Sequence, residues 1–158
     1  MSKRNLALTV ALVLLAVSFA VAATNPFLGT WKLNEAKSHF PAAAGKNTTV
    51  TYTAAANGMI TVVTDGVDGK GNPVHTEWTG EFNGKPFPVT GTGTNGVNNR
   101  TVMAKGEQTL IMTNLNGVKP VSKGSVEVSA DGQSRTVDVT GTGPDGKPYK
   151  ATYFYDKQ

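Results

Sequence analysis

The 158-residue chain contains no cysteine and only two histidines, His39 and His75. Without thiolates it can form no disulfide and no thiolate-based zinc site, so its stability has to come from packing and backbone pairing. His75 and Glu77 share a strand face, but such a pair is usually solvated, and neither histidine has the ligand spacing of a metal site. Motifs for a nucleophilic serine, a P-loop and a dinucleotide-binding loop are also missing. We therefore expect no enzyme, no cofactor and no metal.

Excess charge is scarce as well. The formal net charge is +4, but the basic residues Lys3 and Arg4 belong to the first few positions, and without them it falls to +2. No cluster of basic residues follows that would suggest nucleic acid as a partner. Only two arginines, Arg100 and Arg135, occur in the remainder of the chain.

Long apolar runs are confined to the N-terminus. A basic pair is followed by an apolar stretch that ends in the small residues Val21-Ala22-Ala23, the layout of a secretory signal peptide. We predict a signal peptide over residues 1–23 and a mature domain over residues 24–158, secreted or periplasmic and not spanning a membrane. The alternative is an uncleaved anchor, because the run approaches the roughly 18 apolar residues that can cross a bilayer.

Helical periodicity is scarce beyond Asn47, where the chain is rich in Thr, Val and Gly. The β-branched residues favour strands, and turns such as Asn57-Gly58 and Asn95-Gly96 tolerate the positive φ of tight hairpins. The link 35–46 is the one longer connection and has room for one or two helical turns. The pattern predicts ten strands, over residues 28–34, 48–56, 59–66, 73–82, 86–92, 98–104, 108–115, 118–128, 134–141 and 148–156.

The predicted strands have one apolar and one polar face. In the fourth strand Trp78 and Phe82 share a face, while Glu77 and Glu81 lie on the other. Strands of this kind form antiparallel sheets that are wetted on one side, and the connections are too short for parallel crossovers. Ten such strands lose their exposed edges most simply by closing. We therefore predict an all-β, antiparallel up-and-down β-barrel of about 8–10 strands.

The segment Phe27-Leu-Gly-Thr-Trp-Lys-Leu33 resembles the start of the calycins, the superfamily of lipocalins and fatty-acid-binding proteins, and Ser38-His39-Phe40 extends the likeness. The resemblance implies a lipocalin-like barrel in which Gly29 and Trp31 open the first strand and Trp31 plugs one end. The longer segment Asn25–Asn34 is similar to the start of secreted bacterial proteins, from which no activity follows.

The end of the chain departs from the fatty-acid-binding pattern. There the last strand carries Arg-x-Tyr, whose Arg and Tyr hold the lipid carboxylate. Here Tyr153 stands at the Arg position, while Tyr155 keeps the Tyr. The link 35–46 is also too short for the two-helix lid of that branch. The resemblance therefore implies lipid binding, but without the charged anchor of the family.

A barrel of this size can hold one small ligand. The candidate contacts are inward-facing residues: Tyr52, Trp78, Phe82, Met112, Arg135, Tyr153 and Tyr155. Arg135 could bind a carboxylate bidentately; alternatively it stacks on Trp31 at the closed end, as the lipocalin resemblance implies, or lies in solvent at a strand end. Our hypothesis is a monomeric barrel that binds a small apolar or amphipathic molecule without catalysis. The alternatives are a filled structural or protein-interaction barrel of the cell envelope, and an enzyme with a polar cluster around His75 or Arg135.

Overall fold

The computed structural model describes residues 25–143 and 146–158 and contains ten antiparallel strands that form one closed barrel. Each strand pairs with the next along the chain, and the first also pairs with the last, so the predicted up-and-down barrel is confirmed. The predicted signal peptide, residues 1–23, lies outside the described residues. The strands are β1 (Gly29–Leu33), β2 (Lys46–Ala54), β3 (Ile60–Val67), β4 (Pro73–Gly80), β5 (Asn83–Thr92), β6 (Asn99–Ala104), β7 (Thr109–Asn116), β8 (Lys119–Val128), β9 (Ser134–Thr142) and β10 (Pro148–Lys157).

The strand bounds depart from the predicted ones by no more than three residues, the largest difference being the start of β5 at Asn83. This agreement has a local cause. Asn57 and Asn95 both adopt positive φ, and a glycine with positive φ follows each of them. The turn residues and the end of side-chain alternation therefore fall at the same positions. Both signals are local, so the strand ends can be predicted without knowledge of tertiary contacts.

One end of the barrel is closed by aromatic side chains. Trp31 is fully buried there, and its indole Nε1 donates a hydrogen bond of 2.9 Å to the carbonyl of Phe27. Phe82 packs edge-to-face on Phe27 and is stacked on Trp78. Trp31 thus occupies the position expected of a residue that plugs the barrel.

The other end is the mouth, which the link between β1 and β2 partly covers. This link contains two short 3-10 helices, Glu35–Lys37 and Ala42–Ala44, which agrees with the one or two helical turns expected. Because β1 is short, the upper part of β10 pairs with the link instead: His39 and Thr152 exchange backbone hydrogen bonds of 2.8 and 2.7 Å. The link therefore completes the wall between β10 and β2.

At Gly91 the backbones of β4 and β5 come so close that a side chain would not fit between them. A Cβ at Gly91, in β5, would lie 2.1 Å from the His75 carbonyl oxygen of β4, and its φ is +113°. We expect Gly91→Ala to lower the free energy of unfolding by about 2–3 kcal/mol, through backbone strain plus displacement of β4. Gly106→Ala is the matched control, because Gly106 has φ of +91° and open space around it, so only the strain of ~1 kcal/mol remains. Urea unfolding compares the two, and equal losses would contradict the steric argument.

Candidate ligand-binding site

A cavity of about 190 Å³ extends from the mouth into the barrel lumen. Its walls combine aliphatic side chains with polar ones, among them two arginines, several tyrosines, three asparagines and a serine. Five of the seven predicted contact residues line it: Tyr52, Met112, Arg135, Tyr153 and Tyr155. The lumen is therefore open and amphipathic along part of its length.

The other two predicted contact residues lie away from this cavity. Trp78 and Phe82 border only a void of about 10 Å³ near the closed end. The Trp78 indole donates a hydrogen bond of 3.2 Å to the carbonyl of Arg100. The prediction that Phe82 belongs to the fourth strand is wrong, since β4 ends at Gly80. Both side chains pack in the aromatic layer beneath the cavity.

Arg135 is the most unusual residue of the lumen. Its side chain enters from β9 and is only 2% exposed. The guanidinium carbon lies 5.0 Å from the Trp31 ring centroid, 5.0 Å from that of Tyr52 and 4.7 Å from that of Tyr155. Arg135 thus stacks on Trp31, as one of the alternatives expected, and it also faces the cavity, while its binding of a carboxylate stays a prediction.

Two nitrogens of Arg135, Nε and Nη1, are buried and have no hydrogen-bond partner in the described part of the chain. A buried donor without an acceptor costs about 1–3 kcal/mol, and more when it is charged. Cation–π contacts contribute about 0.5–2 kcal/mol each. The three rings thus offset part of the cost of burying the charge, but they accept no conventional hydrogen bond. An acceptor placed in the cavity beside Arg135 would remove the remaining cost.

Arg100 is a second arginine in the same cavity, and sequence reasoning did not place it there. Its Nε donates a hydrogen bond of 2.7 Å to Asn114 Oδ1, and Asn114 Nδ2 donates one of 2.9 Å to Ser122 Oγ. Burial lowers the pKa of Arg100, but a guanidinium remains charged in proteins. The signal was present in the sequence, since Arg100 alternates in phase with the buried Val102.

Tyr153 and Tyr155 form part of the cavity wall, but their hydroxyls are already engaged. Tyr153 donates a hydrogen bond of 3.0 Å to the carbonyl of Gly45, and Tyr155 donates one of 3.1 Å to that of Asn47. Phe40 of the link stacks on Tyr153 with a centroid distance of 5.0 Å. These hydroxyls join β10 to the start of β2, so the two tyrosines offer a ligand their ring faces and lone pairs.

The raised pKa values of two buried tyrosines predict that the protein loses stability at alkaline pH. Burial raises the pKa of Tyr153 to about 12 and also raises that of Tyr155, whereas tyrosine in an unfolded chain titrates near 10. The folded state thus holds the phenolic protons more tightly, so their contribution is complete below about pH 10 and is lost as the pH rises toward 12. We expect Tyr153→Phe to flatten this decline, at a cost of about 1 kcal/mol at neutral pH from the lost hydrogen bond. Urea unfolding between pH 8 and about 12 measures both effects, and equal declines for the two proteins would contradict the assignment.

Carboxylates are missing from the inner part of the cavity. Among the described residues the one acidic side chain in its lining is Asp68, at the mouth. Hydrogen bonds from the side chain and backbone of Asn72, with a smaller contribution from Lys70, hold the pKa of Asp68 below its usual value. Lys46, also at the mouth, is paired with Glu35 at 2.8 Å. Within the described residues, the two arginines deeper inside therefore share the cavity lining with no carboxylate other than Asp68.

His75, the histidine around which a polar cluster had been considered, lies on the outer surface of the barrel. His75 contacts Asp65 of the neighbouring strand at 2.6 Å, rather than Glu77, and both side chains are more than half exposed. Such a pair contributes about 0–1 kcal/mol.

Within residues 25–143 and 146–158, no group of three or more His, Asp or Glu side chains could hold a metal ion. In the same ranges no helix is long and apolar enough to cross a membrane.

Comparison with known proteins gives structural neighbours only. No protein family model and no curated protein matches the chain. Similar solved structures include EF1p2_mFAP2b bound to DFHBI, at 14% identity and a TM-score of 0.46 over 84% of this chain and 94% of that one. They also include a redesigned β-barrel, at 16% identity and a TM-score of 0.45 over 84% and 92%, and the redesigned β-barrel mFAP1 bound to DFHBI, at 15% and 0.43 over 84% and 95%.

Proposed function

We propose that this protein is an exported, calycin-like monomeric barrel that binds one small amphipathic molecule in its lumen without changing it chemically. The observation that carries the proposal is the guanidinium of Arg135. It is buried, it faces the cavity, and two of its nitrogens have no acceptor in the described structure. A ligand with an acidic group would provide charge-assisted hydrogen bonds, which are about twice as strong as neutral ones.

The walls above Arg135 suit the apolar part of such a ligand. Val137 and Val139 follow Arg135 along β9, and Met112 of β7 lines the same cavity. Tyrosine rings complete the lining, and aromatic and aliphatic walls with a few polar groups are typical of small-molecule sites. The arrangement supports recognition of a small molecule that has both an apolar and an acidic part.

The proposal that no reaction takes place rests on the chemistry available at the site. A general base has to reach the proton that it removes, and histidine or a carboxylate is the usual choice. His75 is on the outer face, and the lining carboxylate Asp68 is committed to its turn. The inward polar groups in the described structure are mainly guanidinium, amide and hydroxyl groups, and the hydroxyls of Tyr153 and Tyr155 are engaged with backbone carbonyls and have raised pKa values. These groups favour holding a ligand over exchanging protons with it.

Export is the part of the proposal that rests on the first residues alone. The basic pair, the apolar run and Val21-Ala22-Ala23 support a cleaved secretory signal. N-terminal sequencing of protein recovered from the periplasm or medium tests it, with Thr24 as the expected first residue. Recovery of the full chain in the membrane fraction would favour an anchor instead.

Native mass spectrometry of the purified protein tests the binding role. We expect the wild-type protein to carry a small co-purifying molecule, Arg135→Met to lose it, and Lys123→Met, which removes an exposed cation on β8, to keep it. If the wild-type protein carries nothing and binds no member of a panel of small carboxylates, the proposal is wrong. The filled structural or protein-interaction barrel then becomes the better explanation.

A further inference from the structure

Two guanidinium groups converge on one cavity. Arg100 enters from β6 and Arg135 from β9, and both line the space of about 190 Å³. Tyr52 is close to both: its ring lies 5.0 Å from the Arg135 guanidinium carbon, and together with Arg100 it also borders the small void beneath the cavity. The only two arginines beyond Arg4 in the sequence are therefore inside the barrel and close to the same tyrosine.

Both arginine side chains have N–H donors that make no hydrogen bond within the described part of the chain. Arg135 leaves Nε and Nη1 unpaired, and Arg100 hydrogen-bonds within the described chain through Nε, to Asn114. The terminal nitrogens of Arg100 are thus free to meet a ligand. Asn114 is in turn held by Ser122, so the orientation of the Arg100 side chain is fixed by a chain of hydrogen bonds across three strands.

The two charges have no counter-ion on the inner wall. Asp68 is the lining carboxylate of the described residues, and it lies at the mouth, where three hydrogen bonds from Lys70 and Asn72 already occupy it. Like charges that line the same cavity repel each other, and a single carboxylate neutralises one of them. Full compensation requires two negative charges.

On the premise that the lumen is the ligand site, we infer that the ligand is a compact molecule with two acidic groups. Arg135 binds one group near the closed end, and Arg100 binds the other from the β6 wall. This class is narrower than that of an amphipathic molecule, and it assigns Arg100 a role in choosing the ligand.

The cavity volume points in the same direction. A cavity of about 150 Å³ is known to hold benzene, with its six carbons, so the space of about 190 Å³ found here accommodates about eight non-hydrogen atoms. Sites for drug-sized molecules have about 300–1,000 Å³. A long-chain fatty acid, with about twenty non-hydrogen atoms, would need a much larger lumen. A short dicarboxylate matches both the size of the cavity and its charge.

A matched pair of probes, glutarate and pentanoate, tests the inference, because they share a five-carbon chain and differ by one carboxylate. Titrations are followed by calorimetry and by the arginine Nε–Hε resonances in NMR spectra, at low ionic strength. We expect glutarate to bind at least about tenfold more tightly than pentanoate, as one additional charge-assisted contact implies. Both Nε–Hε resonances should shift with glutarate, and that of Arg135 alone with pentanoate.

Variants of each arginine distinguish their contributions to the binding of the two probes. Arg100→Met should weaken glutarate binding about tenfold and leave pentanoate binding unchanged, and Arg100→Lys, which keeps the charge, should restore part of the preference. Arg135→Met should weaken both probes, while Lys123→Met should alter neither. Thermal unfolding of each variant confirms that it is folded.

The outcomes distinguish this inference from the function on which it rests. If pentanoate binds as tightly as glutarate, or if dodecanoate binds and neither short probe does, the two-acid inference is wrong while ligand binding in the lumen stands. If the folded protein binds none of the three but carries another co-purifying molecule, only the two-acid inference is wrong. If it binds none of the three and carries nothing, both are wrong.

Discussion

Replacing Trp31 with alanine is expected to lower the free energy of unfolding by about 5 kcal/mol. The side chain is fully buried, and truncating a buried tryptophan typically costs about 3–5 kcal/mol in lost burial and cavity formation. The substitution also removes the ring from between two cations, since Arg135 and Lys157 each lie 5.0 Å from its centroid. A small domain has a total stability of about 5–15 kcal/mol, so the substitution would remove about a third or more of it.

Urea unfolding followed by circular dichroism measures the effect, with two companion variants. Trp31→Phe keeps a ring against Arg135 but loses the hydrogen bond to Phe27, and we expect a loss of about 2 kcal/mol. Val118→Ala should have almost no effect, because Val118 is 93% exposed. If Trp31→Ala cost less than Trp31→Phe, or if it cost no more than about 1 kcal/mol, Trp31 would not be the plug of the barrel.

Replacing Arg135 with methionine is expected to have opposite effects on binding and on stability. Two charge-assisted hydrogen bonds to an acidic ligand are lost, each worth about 1.5–3 kcal/mol, so affinity should fall about 100-fold or more. In the ligand-free protein a buried charge without a counter-ion disappears. Methionine keeps contact with the rings of Trp31, Tyr52 and Tyr155 through favourable sulfur–aromatic packing. We expect the free energy of unfolding to rise by about 1–2 kcal/mol.

The two effects are measured by calorimetric titration with a short carboxylate and by urea unfolding of ligand-free protein. Arg135→Lys is the companion variant, because it keeps the charge while losing the planar donor fork, and it should bind weakly without gaining stability. A loss of more than about 2 kcal/mol in Arg135→Met would mean that the cation stabilises the aromatic layer itself. The binding role would then lose its main support.

The strands could be predicted from the sequence because their causes are local. Asn-Gly and Asp-Gly pairs adopt the positive φ of hairpin turns, and between turns the side chains alternate with a period of two. Because the connections are short, strands that are adjacent in the sequence pair with each other in the sheet, so the topology can be predicted as well. Phe82 was misplaced because it alternates in phase with Trp78, although the strand ends at Gly80 and the chain turns before Phe82.

The site was predicted less well, because its geometry depends on long-range contacts. Inward alternation correctly placed Tyr52, Met112 and Arg135 at the lumen. It could not show that the hydroxyls of Tyr153 and Tyr155 reach the backbone beside β2, since those partners lie 108 residues away along the chain. Whether these residues contact a ligand, and whether residues 1–23 direct export, remain predictions.

The sequence by itself determined the strands, their order and which residues of each strand face inward, because turns and alternation act over a few residues. The tertiary structure alone decided that the lumen stays partly open, that Trp31, Tyr52 and Tyr155 surround the Arg135 guanidinium, and that Arg100 reaches the same cavity. Those facts depend on how strands distant in sequence are brought together around the barrel, which sets the distances between side chains on opposite walls. The charge in the lumen is therefore a property of the closed barrel rather than of any one strand.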